Sequence, residues 1–363
     1  MDPTLSLLCD LIAIDSVNPG LVPGAAGERA ISEAIANELR GIGADVELTE
    51  IAPGRFNVTG VLNARAKGRT LMLCGHSDTV GVEGMDAPFT PVIKDDRIYG
   101  RGAQDMKGGC AAILGAARIL SYNLERGSLI LAFVADEEYM SIGAEALAKQ
   151  WKADAAIITE PTDLMIAVGH KGFQWVEVTT HGRAAHGSRP DEGKDAIVAM
   201  APILDGIRTL EQRFITAPPH PLLGRPSVHA SLISGGRELS TYPDRCTLQI
   251  ERRTVDGEAD DVALRELQSF AGDAETRHLF TRAPYLTPRD SDLPELIERT
   301  LGGTARRGAM TYWTDAAILG HAGIPTVIFG PGGEGLHGIS EYVRASEVLA
   351  CRDALVEVTQ TFV

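Results

Sequence analysis

The chain has 363 residues, and its composition of 44% hydrophobic and 23% charged residues is typical of a folded globular protein. Its length predicts about two domains, at roughly 100–200 residues per domain, and excludes a single small module. The 49 acidic residues outnumber the 34 basic residues, and the net charge of −15 argues against nucleic acid as a partner, because the phosphate backbone would repel the chain.

Both ends of the sequence alternate between helix and strand patterns. Helical patterns lie within residues 5–39, on either side of a loop at 18–20, and further helices are predicted over 106–120 and 315–320. Short strands, several of them uninterrupted apolar runs, are predicted at 45–48, 57–62, 70–74, 128–135, 155–159 and 325–329. The alternation predicts an α/β domain, a mixed sheet flanked by helices, formed by residues 1–172 and 286–363.

The segment between these two parts, residues 173–285, has a different pattern. Strands at 174–180, 228–233 and 247–253 alternate apolar and polar positions, as in an antiparallel sheet with one face in water. Helices are predicted at 195–210 and 260–271, and the proline-rich stretch 217–226 is an irregular connection. The resulting β-α-β-β-α-β order predicts an inserted α+β domain of the ferredoxin-like type.

No stretch of the sequence is apolar over the roughly 20 residues that a membrane-spanning helix needs. The longest uninterrupted apolar run is Leu129 to Ala135, and no Lys or Arg precedes Arg29, so no secretory signal is predicted and the cytoplasm is the expected location.

The odd number of cysteines and the lack of a CxxC pair argue against disulfides and a thiolate zinc site. They are predicted to be buried hydrophobic residues: Cys9, Cys74, Cys110, Cys246 and Cys351.

Acidic residues and histidines follow the predicted buried strands or precede the helix at 106–120. They are His76, Asp78, Asp105, Asp136, Glu137, Glu138, Glu160 and His337. Each has a plain structural alternative, such as a capped turn, a helix N-cap or a solvated acidic turn. Together these oxygen and nitrogen donors, without a thiolate, are what a hard or borderline divalent cation requires. The glycine-rich loop at 100–109 does not match a phosphate-binding pattern.

The sequence resembles the M20 metallopeptidases and deacylases over nearly its whole length. That family includes acetylornithine deacetylase, succinyl-diaminopimelate desuccinylase and glutamate carboxypeptidase. The resemblance is carried by the ordered motifs His76-Ser77-Asp78, residues 102–109 around Asp105, Asp136-Glu137-Glu138, Glu160-Pro161-Thr162 and His337.

The resemblance implies two divalent metal ions bridged by Asp105. His76 and Glu160 would complete the protein ligands of one ion, and Glu138 and His337 those of the other, so each ion keeps an open position for water. Zinc suits these ligands, and cobalt or manganese could occupy the same site.

Two more acidic residues have roles beside the ligands. The resemblance implies that Asp78 orients the His76 imidazole. Neighbouring residues at a strand end project in different directions, so Glu138 can face a metal while Glu137 faces the water between the metals. Glu137 is therefore predicted to be the general base, which takes a proton from that water and passes it to the leaving amine. The family often has a cis peptide bond after the bridging aspartate, which here is Asp105-Met106.

The inserted segment matches the family as well. The resemblance implies that His186 reaches into the active site of a partner subunit and donates a hydrogen bond to the tetrahedral oxyanion. A homodimer is therefore expected, with residues 173–285 as its dimerisation domain. Arg253 matches the family arginine that binds a substrate carboxylate, and Arg252 is expected to point to the opposite face of the sheet.

Four more positions bear on the substrate. Thr314, in Thr-Asp-Ala, is similar to acetylornithine deacetylases rather than desuccinylases, and Gly332 lies in a glycine-rich pocket loop for which a plain tight loop is the alternative. Both are candidate substrate contacts. Ser240 stands where related members usually have Asn, which puts an amide-mediated contact in doubt. Trp313 stands where glycine is common, and its ring could narrow the acyl pocket.

The predicted activity is hydrolysis of the amide bond of an N-acyl-L-amino acid, as in acetylornithine deacetylase. Desuccinylase, dipeptidase and carboxypeptidase activities use the same chemistry and stay open. The expected partner is thus a small N-acyl amino acid or a short peptide. A catalytically silent protein that binds a small amide is the non-enzyme alternative, but such a protein has no need of a base at Glu137 beside a complete ligand set.

Overall fold

The computed structural model describes residues 1–303 and 305–363. The helices are α1 (Pro3–Ile12), α2 (Arg29–Gly41), α3 (Gly108–Asn123), α4 (Ile142–Gln150), α5 (Ala201–Thr216), α6 (Val262–Ala271), α7 (Leu293–Thr300), α8 (Ala316–His321) and α9 (Ala345–Phe362). The strands are β1 (Asp45–Ala52), β2 (Arg55–Asn63), β3 (Ala66–His76), β4 (Val92–Lys94), β5 (Arg97–Tyr99), β6 (Arg126–Val134), β7 (Ala155–Ile158), β8 (Ile166–His170), β9 (Gly172–His181), β10 (Ser227–Gly235), β11 (Arg245–Thr254), β12 (Glu275–Arg282), β13 (Tyr285–Leu286), β14 (Arg307–Met310), β15 (Thr326–Ile328), β16 (Gly333–Glu334) and β17 (Tyr342–Arg344).

These elements form two compact units. The larger unit contains Met1–Gly169, Thr287–Ala309 and Thr314–Val363, and the smaller unit contains His170–Leu286 and Met310–Trp313. None of the helices in the described part of the chain is both long enough and apolar enough to cross a membrane. The cytoplasmic location stays a prediction.

The main sheet of the larger unit is mixed, as predicted. Its strand order is β1-β2-β6-β3-β7-β15-β8. Antiparallel pairs join β1, β2 and β6, whereas β6, β3, β7 and β15 run parallel, so their carboxyl ends lie at one edge. Consecutive residues are buried in the second halves of β3 and β6, and their alternate residues Leu71, Leu73, Leu129 and Leu131 lie in one core. In that core α3 packs on α1 and α9, while α4 and α8 contact each other.

The smaller unit has the predicted β-α-β-β-α-β order. Its antiparallel sheet has the order β10-β11-β9-β12, and α5 and α6 pack on one face of it. Burial alternates along β11, with Leu248, Ile250 and Arg252 turned toward the helices. The helix predicted from residue 195 instead begins at Ala201, because Pro202 in its first turn suits a helix start.

The helix predicted from residue 106 begins two residues later. Met106 has non-helical backbone angles, φ −128° and ψ 40°, and α3 starts at Gly108. The Asp105-Met106 peptide bond is cis, as the resemblance implied. Asp105 therefore lies on an irregular turn directly before a buried helix rather than capping it.

Candidate metal centre

The predicted ligands come from the carboxyl ends of neighbouring strands in the larger unit. His76 is the last residue of β3, and the turn with Glu137 and Glu138 follows β6, which pairs with β3 in parallel. Glu160 follows β7, which pairs with β3 on its other side. Because parallel strands end at the same edge of a sheet, these side chains meet in one region.

Asp105 lies between two histidines. Its Oδ1 is 3.1 Å from Nε2 of His76, and its Oδ2 is 3.4 Å from Nε2 of His337. Glu160 Oε1 is 3.7 Å from the same nitrogen of His76, and Glu138 Oε2 is 3.2 Å from that of His337. The side chains thus form two groups that share Asp105: His76 with Glu160, and His337 with Glu138.

The two groups differ in exposure. In the first group the side chains of His76 and Glu160 are 1% and 5% exposed. In the second group Glu138 is 5% exposed but His337 is 56% exposed. His337 lies on a loop with a left-handed backbone, φ 58°, between β16 and β17. The first group is therefore fixed by the main sheet, whereas the second depends on a surface loop.

Crowded carboxylates shift the acid–base equilibria of this region. Burial, together with the Asp105 charge, raises the pKa of Glu138 to about 7. Burial and the Glu160 charge raise the pKa of Glu137 well above its ordinary value. Burial acts in the same direction on Asp105, but hydrogen bonds from the two histidines prevail and lower its pKa. So many buried acidic groups are unfavourable together unless cations compensate their charge.

The donor set fits a pair of divalent cations. Its atoms are carboxylate oxygens and imidazole nitrogens, which zinc, cobalt and manganese all accept. Glu138 Oε1 is buried and has no hydrogen-bond partner among the described residues. A cation would satisfy that oxygen and offset the repulsion among the carboxylates.

Glu137 and Glu138 both face the ligand region, at different places. Glu137, His76 and Glu160 each have one donor atom here, and these three atoms lie within 4.8 Å of one another. A second set of three donor atoms, from Glu138, His76 and Asp105, lies within the same 4.8 Å limit. Glu137 therefore lies beside the more buried group, where a base or a ligand could act.

Asp78 supports the ligand region differently from the prediction. The hydrogen bond from His76 Nδ1 goes to the backbone carbonyl of Asp78, at 2.9 Å, while the nearest carboxylate oxygen is 3.6 Å from that nitrogen. The carboxylate instead accepts from the backbone N–H groups of Glu137 and Glu138, at 3.1 and 3.2 Å. These amides hold the negative side chain firmly, because a hydrogen bond to a charged acceptor is stronger than a neutral one.

A buried polar network continues behind Asp78, and sequence reasoning missed it. The amide nitrogen of Asn18 donates to Asp78 at 2.7 Å and to Asp136 at 3.0 Å. Arg55 donates to Asp136 at 2.9 Å and, through a second nitrogen, to Glu28 at 2.7 Å. Asn18 and Glu28 are fully buried. No local pattern marks these residues, because each contact joins distant parts of the chain.

Thr314 and Gly332, the two predicted substrate contacts in the larger unit, each form a hydrogen bond within the chain. Thr314 is buried, and its hydroxyl accepts a hydrogen bond from the backbone N–H of Ala316 in the first turn of α8. The N–H of Gly332 donates to Glu347 at 2.8 Å. A Cβ at Gly332 would lie 1.7 Å from Asp163 Oδ1, so this position has room for glycine alone.

The other predicted site residues lie in the smaller unit. His186 is exposed, and its Nδ1 is 2.8 Å from Ser188 Oγ. Arg252 is 1% exposed, whereas the Arg253 side chain is 30% exposed and packs over the ring of Phe173. The indole nitrogen of Trp313 donates to the carbonyl of Ala283 at 3.1 Å.

Comparison with known proteins identifies the family. A model of peptidase family M20/M25/M40 matches residues 72–361, which include all the residues of the two ligand groups. The chain belongs to peptidase family M20. The motif-based recognition is therefore confirmed.

Individual M20 relatives match nearly the whole chain. It is 31% identical to an acetylornithine deacetylase of Edwardsiella ictaluri, over 99% of this chain and 97% of that protein. The fold is similar to a tripeptidase from Staphylococcus aureus, with a TM-score of 0.81 and 22% identity over 99% of this chain and 97% of that one. It is also similar to a dinuclear metal-binding M20 peptidase from Bacillus subtilis, with a TM-score of 0.69 and 16% identity over 99% of this chain and 97% of that one. The chain is thus an M20 hydrolase homologous to acetylornithine deacetylases.

Proposed function

We propose that this M20 protein hydrolyses the amide bond of N-acyl-L-amino acids, as acetylornithine deacetylases do. The observation that carries the proposal is the position of Asp105, with one carboxylate oxygen toward His76 and the other toward His337. The full-length similarity to acetylornithine deacetylases supports the deacylase reaction over other M20 activities.

The ligand groups would hold two divalent ions, with zinc as the first choice and cobalt or manganese as alternatives. His76, Glu160 and Asp105 Oδ1 would bind one ion, and His337, Glu138 and Asp105 Oδ2 the other. When bound, such a pair lowers the pKa of a water molecule and polarises the amide carbonyl.

Glu137 is the general base in this proposal. Its carboxylate lies beside the more buried ligand group, within reach of a water held there. It takes a proton from that water as the water attacks the amide carbonyl, and it returns the proton to the leaving nitrogen. The turn that carries Glu137 is fixed by Asp78, so the base does not need to reorganise during the reaction.

The smaller unit would supply recognition and the dimer. Arg253 would bind the substrate carboxylate through its guanidinium, which also contacts Glu251. His186 would donate a hydrogen bond to the oxyanion in the active site of the partner subunit, so residues 173–285 serve as the dimerisation domain. The edge strand β10 supports this proposal, because Leu232 and Ile233 on it are 67% and 54% exposed. Thr314 and Gly332 stay candidate substrate contacts.

The test is release of free primary amine from a substrate panel. The panel contains N-acetyl, N-succinyl and N-formyl amino acids and simple dipeptides, and the protein is loaded with zinc, cobalt or manganese or treated with a chelator. We expect chelator-sensitive release, fastest from N-acetyl amino acids with N-acetylornithine among them. Fastest release from N-succinyl substrates or dipeptides would instead assign one of the sister activities.

A catalytically silent amide-binding protein is the competing function. It predicts two bound ions and saturable binding of an N-acyl amino acid, but no amine release from any compound. The presence of Glu137 beside the complete donor set favours the enzyme, because a binder gains nothing from a buried base.

A further inference from the structure

A buried carboxylate outside both ligand groups holds the loop that carries Asp105. Glu341 is 1% exposed, and its two oxygens accept four hydrogen bonds. The donors are Arg101 Nη1 at 2.7 Å and the backbone N–H groups of Gly102, Gln104 and Asp105 at 3.0, 2.8 and 3.1 Å. Such charge-assisted bonds to backbone amides fix a loop more firmly than neutral ones.

The same pair of residues also joins this loop to the one that carries His337. Arg101 Nη2 donates to the carbonyl of Gly338 at 3.1 Å, and the N–H of Gly100 donates to the carbonyl of Glu341 at 3.2 Å. Gly338 and Glu341 are one and four residues after His337 in the chain. The separation of Asp105 from His337 is therefore set by the bonds between residues 100–105 and residues 338–341.

This arrangement matters more for one ligand group than for the other. His76 ends β3 and Glu160 follows β7, so the main sheet fixes their distance. His337 has no such support, since it lies on an exposed loop with a left-handed backbone. Drift of the two loops would change the 3.4 Å distance between Asp105 Oδ2 and His337 Nε2, whereas in the first group it would move only the shared Asp105, because His76 and Glu160 are held by the main sheet.

We propose that Glu341, with Arg101, is a positioning residue that sets the affinity of the more exposed cation site, formed by Asp105 Oδ2, Glu138 and His337. This inference rests on the proposed function, because it assumes that the two ligand groups bind cations. It adds that the two sites depend on these loops to different degrees, and that Glu341 acts mainly on the more exposed site without touching a cation.

The experiment is titration of metal-free protein with zinc in a metal buffer, with bound zinc counted by mass spectrometry. In Glu341→Gln we expect one ion to bind about 10–100-fold more weakly, the range found for residues that orient metal ligands, and the other to lose clearly less affinity, because only its shared ligand Asp105 moves. Arg101→Lys should show a smaller loss at the same site. In the His337→Ala background, Glu341→Gln should lower the affinity of the ion that remains by less than it lowers the affinity of the more exposed site in the chain with His337.

Glu266→Gln is the matched control, because Glu266 also pairs with a buried arginine, Arg252, but lies in the smaller unit. It should bind two ions with wild-type affinity even if it unfolds at a lower temperature. If Glu341→Gln does not fold, Arg101→Lys decides the question.

Three outcomes would overturn the inference. Unchanged affinity of both ions would show that the loops keep their spacing without Glu341. An equal loss at both sites would show a general effect on folding instead of selective positioning. A wild-type chain that binds no divalent ion would remove the basis of this inference together with the proposed function, and that result is distinct from the first two.

Discussion

The carboxylate of Asp78 accepts a hydrogen bond from the backbone N–H of Glu137 at 3.1 Å, although 59 residues separate the two. The first follows β3 and the second follows β6, so the bond links the ends of two paired strands. It fixes the backbone at the residue proposed as general base. Asp78 thus acts on the Glu137-Glu138 turn as well as on the imidazole of His76, which bonds to its carbonyl.

We expect Asp78→Asn to lower kcat by about 10–100-fold, the range typical of residues that support a metal centre. The substitution turns one acceptor oxygen into a donor that faces backbone N–H groups, so the Glu137-Glu138 turn must shift. Asp96→Asn is the control, because Asp96 accepts a hydrogen bond from the N–H of Ser346 away from the ligand groups. Steady-state kinetics with an N-acetyl amino acid checks this prediction, and an unchanged kcat in Asp78→Asn would contradict it.

Glu137→Gln should lower kcat by about 10²–10⁴-fold, the usual contribution of a general base. The amide has nearly the same shape but cannot accept a proton, so binding of two metal ions should persist. Mass spectrometry of the bound metal accompanies the kinetics. Loss of one ion in this variant would mean that Glu137 is a ligand, as its place beside His76 and Glu160 also allows.

Arg55→Met should lower the free energy of unfolding by about 3–5 kcal/mol, the range for removing one partner of a buried ion pair. The variant leaves the buried carboxylates of Glu28 and Asp136 without their cation. Arg29→Met is the control, since Arg29 and Glu33 form a surface pair more than half exposed, worth about 1 kcal/mol or less. Urea unfolding measures both, and equal effects of the two substitutions would count against the prediction.

Adjacent arginines on β11 should separate stability from substrate binding. Arg252 is buried in ion pairs with Glu258 and Glu266, so Arg252→Met should lower the free energy of unfolding by about 3 kcal/mol. The Arg253 side chain is partly exposed on the opposite face, so Arg253→Met should raise KM with little change in stability. Thermal unfolding and kinetics on both variants test this. A raised KM confined to Arg252→Met would reverse the assignment.

His186→Ala and Glu137→Gln should each be inactive alone but active when mixed. If His186 acts in the partner's active site, a mixed dimer contains one site with both residues intact. Co-expression with two different tags and purification through both gives this species. An inactive mixed dimer would show that His186 does not act across the subunits.

The same mixture tests the proposed dimer surface on β10. Leu232→Glu in both chains places a charge on an exposed edge strand, where it should weaken pairing between copies without disturbing the core. We therefore expect monomers in analytical ultracentrifugation and no recovery of activity by mixing. A dimer that survives this change would place the interface elsewhere.

Much of the fold was predictable because its hydrophobic patterns are local. The apolar run at Leu129 to Ala135 marked β6, and the alternation in residues 247–253 marked β11. Helix starts were less predictable. The start of α3 at Gly108 follows from backbone angles at Met106 that no periodicity records, and the start of α5 at Ala201 follows a short turn.

The sequence by itself determined the family, the α/β fold and the candidate ligands, because a metal site needs particular donor types and its motifs lie directly after apolar strands. Only the tertiary structure decided how the ligands are supported. Asp78 holds a turn 59 residues away, and Glu341 binds Arg101 across 240 residues. Such bonds depend on which strand ends and loops become neighbours, and no local pattern encodes that. The positioning of the candidate metal centre is therefore a property of the folded chain, whereas its chemistry can be read from the residues.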